Sequence, residues 1–231
     1  MKAFHGKQEV KDFYIARIKA HRAADEIVKG QYWEKDDDGV FRGCAIGCSL
    51  HTADHNAIVK EWDFPLSLGY LEDCIFENLP QELALDWPLR FVSAPKPGSD
   101  LSHIVDHFLI WVLTDGVHGV IRFAQKDNER AAIQAVSDLY VRKAANDNPS
   151  PEEWDAAEDA AGAAARAAED AAGAAARAAE DAAGAAAEDA ARAARAAGDA
   201  AGAAAGAAAW AVRDTAYISF ADKLIELMKA A

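Results

Sequence analysis

An eleven-residue unit, AAEDAAGAAAR, occupies residues 156–166, recurs unchanged at 167–177, and recurs at 178–188 with only its last residue altered, to Glu188. Eleven residues make almost three α-helical turns, so each position returns close to the same face of a helix. Glu158, Asp159, Gly162 and Arg166 then share a sector of roughly 100°, and every other position is alanine. The repeat predicts a helix with a narrow charged stripe and a broad methyl surface. Arg166 meets Glu169 and Asp170 three and four residues on, worth a few tenths of a kcal/mol per pair. The glycines at 162, 173 and 184 each cost about 1 kcal/mol against alanine. Unbroken to Met228, such a helix would exceed roughly 100 Å, so a fold-back is expected among Gly198, Gly202 and Gly206. Beyond it Trp210, Val212, Tyr217, Ile218, Phe220, Leu224 and Leu227 supply an ordinary core face. The methyl surface suits close helix packing within the chain or self-association between copies.

The stretch Asn146-Asp-Asn-Pro-Ser150 reads as a linker. Ser150-Pro-Glu-Glu153 reads as a helix start, with serine as cap, proline in the first turn and Glu153 closing a capping box. Two regions follow: a helical domain over 1–146 and an alanine-rich helical region over 150–231. In the first, Val10, Tyr14, Ile18, His21, Asp25 and Val28 predict an amphipathic helix over 9–29 with Gly30 as its C-cap. Residues 30–43 read as a loop. A helix from Cys44 is expected to break near Thr52, where Thr52 caps a new turn. Pro65 opens a helix that stops at Pro80, and the next segment, 81–92, is interrupted at Trp87-Pro88. Asp100 caps a helix carrying Leu101 to Val112 and ended by Asp115-Gly116. Val120–Phe123 is a short β-like run, and 127–143 returns to helix. The fold class expected is all-α.

Charge narrows the function. Residues 1–150 carry 17 basic against 23 acidic side chains and residues 151–231 carry 7 against 15, giving −14 overall. Neither part attracts a phosphate backbone or an anionic bilayer, so neither nucleic acid nor membrane is an expected partner. No apolar run reaches the roughly 18 residues of a membrane span, and MKAFHGKQEVKDF has no signal-peptide core. Three cysteines, an odd number, read as reduced thiols of a cytoplasmic protein.

Chemistry-bearing residues concentrate in GCAIGCSLHTADH, residues 43–55. On one continuous helix Cys44, Cys48, His51 and His55 would point the same way yet span roughly 16 Å, so no single ion could take all four. Adjacent pairs can share a divalent zinc, iron or manganese ion if other segments add ligands. His51-Thr-Ala-Asp-His55 and His103-Ile-Val-Asp-His107 share one form, so two such helices facing each other would make a four-histidine site with aspartates behind it. The plainer reading makes His51 and His55 partly buried polar residues and His103 an exposed one. Cys44 and Cys48, one turn apart beside imidazoles, can be low-pKa nucleophiles, or small buried hydrophobes, as is more natural for Cys74. Gly43 and Gly47 suggest close backbone packing beside them.

His21 and Asp25 lie on the inward stripe of the first helix, where an aspartate fixes a histidine tautomer. Glu72 lines up with Leu68, Ile75 and Leu79 and is expected to be buried. A polar pocket built from His21, Asp25, Cys44, Cys48, His55 and Glu72, lined by Gln31, Tyr32 and Trp33, is therefore expected, as catalytic site or as structural network. No phosphate loop, dinucleotide fingerprint, nucleophile elbow or calcium loop is present.

His21-Arg-Ala-Ala-Asp25, Gly30-Gln-Tyr-Trp33, Gly43-Cys-Ala-Ile-Gly-Cys-Ser-Leu-His51, Asp54-His55 and Leu71-Glu-Asp-Cys-Ile-Phe-Glu77, with the alanine-rich tail, resemble an uncharacterised family of bacterial and prophage proteins. The resemblance implies an accessory role, binding a small ligand or a host protein, and brings no catalytic residues with it. Two functions are thus expected in competition: a cytoplasmic binding or interaction protein, and a metal- or thiol-dependent enzyme using the Cys/His cluster.

Overall fold

Apolar residues at three- and four-residue spacing carry much of the first hundred residues into helix. The structure, a computed structural model, describes residues 1–124, 126–157, 159–160 and 214–231. The fold is all-α. Among the described residues the strands are two three-residue pieces, β1 (Trp33–Lys35) and β2 (Phe41–Gly43), paired antiparallel with Trp33 opposite Gly43. The helices are α1 (Gln8–Ala23), α2 (Ala45–Leu50), α3 (Ala57–Trp62), α4 (Leu66–Asn78), α5 (Gln81–Ser93), α6 (Ile104–Thr114) and α7 (Asp127–Ala144). Further helix begins at 151 and covers 214–230. None of the helices among the described residues is long and apolar enough to cross a membrane. Residues 161–213, with most of the repeat, the expected fold-back and the surface for self-association, lie outside the described residues.

Two units divide the chain: Met1–Leu109 with Asp214–Ala231, and Ile110–Arg213. The first is built on aromatic packing. Phe4, Trp62, Phe64, Trp87 and Phe91 are fully buried, with Phe4 edge-on to Phe64 at 5.1 Å and Tyr14 edge-on to Trp62 at 5.4 Å. Helix α1 lies on α5 and α2, and α4 lies on α5 and α2. The helix over 214–230 closes this unit with Ala221, Leu224, Ile225 and Met228 buried, Phe220 edge-on to Phe108, and Asp222 accepting from Arg90 at 2.6 Å.

In the second unit Tyr140 meets Trp154 edge to face at 4.9 Å. The expected capping box is present: Glu153 N–H donates to Ser150 Oγ, and Ser150 N–H donates to Glu153 Oε2. Val120–Phe123 is a 3-10 turn and not extended.

Three further expectations are corrected. Helix α1 stops at Ala23 and does not reach 29. Asp25 takes φ +55, a left-handed conformation that aspartate tolerates, and Glu26–Val28 turn out to pair with Gly43. The expected loop over 30–43 folds as the β1–β2 hairpin. Its turn is closed by Arg42, which donates to Asp36 and, at 3.0 Å, to Asp38. Helix α5 runs through Pro88 without interruption, with Trp87, Pro88 and Phe91 all buried. Burial of that face outweighs the one backbone bond that proline removes.

Candidate functional site

Geometry first divides the cysteine–histidine ladder. Helix α2 has six residues. Cys44 is its N-cap, and His51 ends it in the left-handed conformation at φ +56. One turn later Asp54 N–H donates to Thr52 Oγ1 and Asn56 N–H to Asp54 Oδ1. This short side-chain-closed turn carries His55 back toward the start of α2. The four side chains therefore do not share a face. They fall into two clusters.

In one, Cys44 Sγ lies 3.3 Å from His55 Nε2, and His55 Nδ1 lies 3.9 Å from Asp73 Oδ1 on α4. One donor atom from each of these three residues falls within 4.8 Å of the others. Cys44 is 1% exposed and His55 9%. The Tyr32 ring stands edge-on to the His55 ring at 5.0 Å. A cleft of about 150 Å³ opens beside them, lined by Gly30, Gln31, Tyr32, Cys44, Asp73 and Glu77. Glu77 is anchored there by the Gly30 N–H, 3.1 Å from both carboxylate oxygens.

Close backbone approach sets this geometry. Cys44 N–H donates to Gln31 and Tyr32 carbonyls, and a Cβ at Gly43 or Gly47 would collide with the Tyr32 carbonyl oxygen. The two glycines thus let the Tyr32 backbone, just ahead of β1, lie against the end of β2 and the start of α2, the close packing expected of them, with the cleft at the seam. Behind Cys44, Glu72 is 1% exposed, and its Oε2 has no hydrogen-bond partner among the described residues. Burial, then the Asp73 charge, raises its pKa well above the carboxylate range.

In the other, His21 Nδ1 is 2.5 Å from Glu26 Oε2, and its Nε2 is 2.7 Å from His51 Nε2. Trp33 stacks on His51 at 4.8 Å and 5°, and stands edge-on to His21 at 5.5 Å. The partner of His21 is therefore Glu26 and not Asp25, which is exposed. Cys48 Sγ donates to the Glu26 and Gly43 carbonyls at 3.3 Å each, pinning the segment that presents Glu26.

The thiols are not activated. Burial outweighs every other influence on them, pushing Cys48 up to about 12 and Cys44 higher still. Of the two readings of Cys44 and Cys48, this favours small buried hydrophobes over low-pKa nucleophiles. Cys74, read as a buried hydrophobe, is exposed. The four-histidine site does not assemble: His51 meets His21 and His55 meets Cys44, while His103 Nδ1 lies 3.1 Å from Asp106 Oδ2. His103 and His107 line a separate groove of about 340 Å³ with Asp100, Ile104 and Leu227.

Asp73, Glu77 and Glu26 are the site residues that sequence reasoning missed. Asp73 stood beside the predicted Glu72, but only the rotation of α4 shows which carboxylate faces Cys44. No protein-family model, no curated protein and no solved structure matches the chain.

Proposed function

We propose that the chain is an accessory binding protein that takes a small, positively charged ligand in the cleft between residues 30–32, the start of α2 and α4. The observation that carries this is one cavity of about 150 Å³ lined by Tyr32, Cys44, Asp73 and Glu77, with the His55 ring against Cys44 and Tyr32. Drug-sized ligands occupy roughly 300–1,000 Å³, so this occupant has only a few heavy atoms. Two carboxylate residues in its lining select against anions, and an aromatic residue beside them favours a cation. The net charge of −14 adds a field that draws cations and repels nucleic acid and anionic membrane. Free thiols fit a reducing cytoplasm.

A thermal-shift screen of small amines, amidines and divalent ions on the full chain tests the reading. A ligand at one hundred times its Kd stabilises by about 2.7 kcal/mol, a shift of several degrees for a chain of this length. That shift is expected to vanish in Asp73→Asn and to weaken in Glu77→Gln. A panel that stabilises nothing, or that stabilises both variants as well as the parent, overturns it.

The second reading is a metal-dependent enzyme on the same residues, favoured by the spacing of Cys44, His55 and Asp73. A thiol-dependent enzyme is disfavoured by burial of both Cys44 and Cys48.

A further inference from the structure

We infer that the cation held at Cys44, His55 and Asp73 is a borderline-soft divalent metal ion of the zinc type, bound through Cys44 Sγ, a His55 ring nitrogen and an Asp73 carboxylate oxygen. This rests on the cleft being a binding site and names the class of cation it takes. A tetrahedral zinc with sulfur at 2.3 Å and nitrogen at about 2.0–2.1 Å places those two atoms about 3.5 Å apart. Here Cys44 Sγ and His55 Nε2 are 3.3 Å apart without rearrangement. The Asp73 oxygen lies within 4.8 Å of both donors, on a side chain that is 28% exposed.

Donor chemistry decides the class of metal. Calcium takes six to eight oxygens and magnesium an oxygen octahedron, which a thiol and an imidazole do not supply. Sulfur and nitrogen donors with one carboxylate suit zinc, cobalt or iron. The Gly47 N–H donates to Cys44 Sγ at 3.3 Å, and a metal ion binding there displaces the thiol proton. No other group of three or more such residues converges among the described residues. The His21–His51 pair is already joined through both Nε2 atoms, and Arg17 opposes positive charge there.

Three protein donors leave the fourth position of a tetrahedral ion toward the cleft, where Tyr32 and Gln31 stand. That position takes water or a small Lewis base, as in zinc sites that exchange ligands.

The test is titration of the chelator-treated full chain with cobalt(II) chloride. One equivalent is expected to give a thiolate-to-cobalt charge-transfer band and intense tetrahedral d–d bands, both displaced by zinc. Cys44→Ser removes the charge-transfer band, and His55→Gln and Asp73→Asn each weaken binding at least ten-fold. Cys74→Ser, which removes the exposed thiol, changes nothing. Absence of the bands, their persistence in Cys44→Ser, or their loss in Cys74→Ser overturns the inference. Circular dichroism checks each fold. If Cys44→Ser does not fold, Asp73→Asn decides on its own, since its carboxamide has the same size and sits part-exposed; unchanged affinity there overturns the site. Stabilisation by small amines without any cobalt band sinks the metal and leaves the cleft reading standing, whereas failure of both sinks both.

Discussion

At the scale of single residues, His51 shows how a fold spends one side chain on two tasks. Its backbone ends α2 in the left-handed region, which histidine visits more readily than most residues. Its ring is held between Trp33 and His21. The residue is exposed as a whole, but those ring faces are covered. Burial first, then the charges of Arg17 and His21, lower its pKa, with Glu26 opposing. The folded chain therefore takes up a proton at His51 less readily than the unfolded one. The stability linked to this residue is complete above about pH 6.5 and is lost as pH falls through that value toward the lower folded-state pKa. Urea midpoints measured from about pH 7.5 to pH 5.5 should fall more in the parent than in His51→Asn, which keeps a residue suited to the left-handed turn. Parallel curves for the two proteins would remove His51 from the account. Spacing alone made His51 a neighbour of Cys48 and His55, because a periodic reading has no means of locating a left-handed residue. For the same reason it gave His21 the partner Asp25. The φ of Asp25 turns that side chain away and brings Glu26 in its place.

Elements meet at the site through backbone, and here the sequence was more legible. Two glycines four residues apart predicted a close approach, and the Tyr32 carbonyl occupies the space where their side chains would stand. What was not legible was the approaching element. Trp33-Glu-Lys and Phe-Arg-Gly are too short to show alternation, and the Asp-Asp-Asp-Gly turn between them reads equally as an open loop. Gly47→Ala should cost about 3 kcal/mol, because the added methyl meets backbone and not a flexible side chain. Gly30→Ala is the comparison: its φ is +75 with no atom within 4 Å of an added Cβ, so it should cost about 1–2 kcal/mol from conformation alone. Denaturant unfolding of both variants separates the two causes. Equal losses would mean that the seam between β1 and α2 yields easily, and the cleft with it.

At the scale of the molecule, the first unit is assembled from both ends of the chain, with residues 1–109 completed by 214–231. Helical periodicity announced the apolar face of that last helix, but not which domain it would join, since pairing across a hundred residues leaves no local signature. Energetics then decide what holds it. The Arg90–Asp222 pair is part-exposed and worth less than about 1 kcal/mol, so Asp222→Ala should be close to neutral. Leu224 is fully buried, and Leu224→Ala should cost about 2–5 kcal/mol. Burial of Leu224, Ile225 and Met228 together contributes about 5–9 kcal/mol, against a total stability for a domain of about 5–15 kcal/mol. A chain ending at 213 should therefore lose the cooperative unfolding of the first unit, not merely shift its midpoint. The cleft lies in that unit, so the same truncation should also abolish ligand stabilisation, although no cleft residue has been touched. Sharp unfolding of the truncated chain, with ligand shifts intact, would show that residues 1–109 fold without their C-terminal helix.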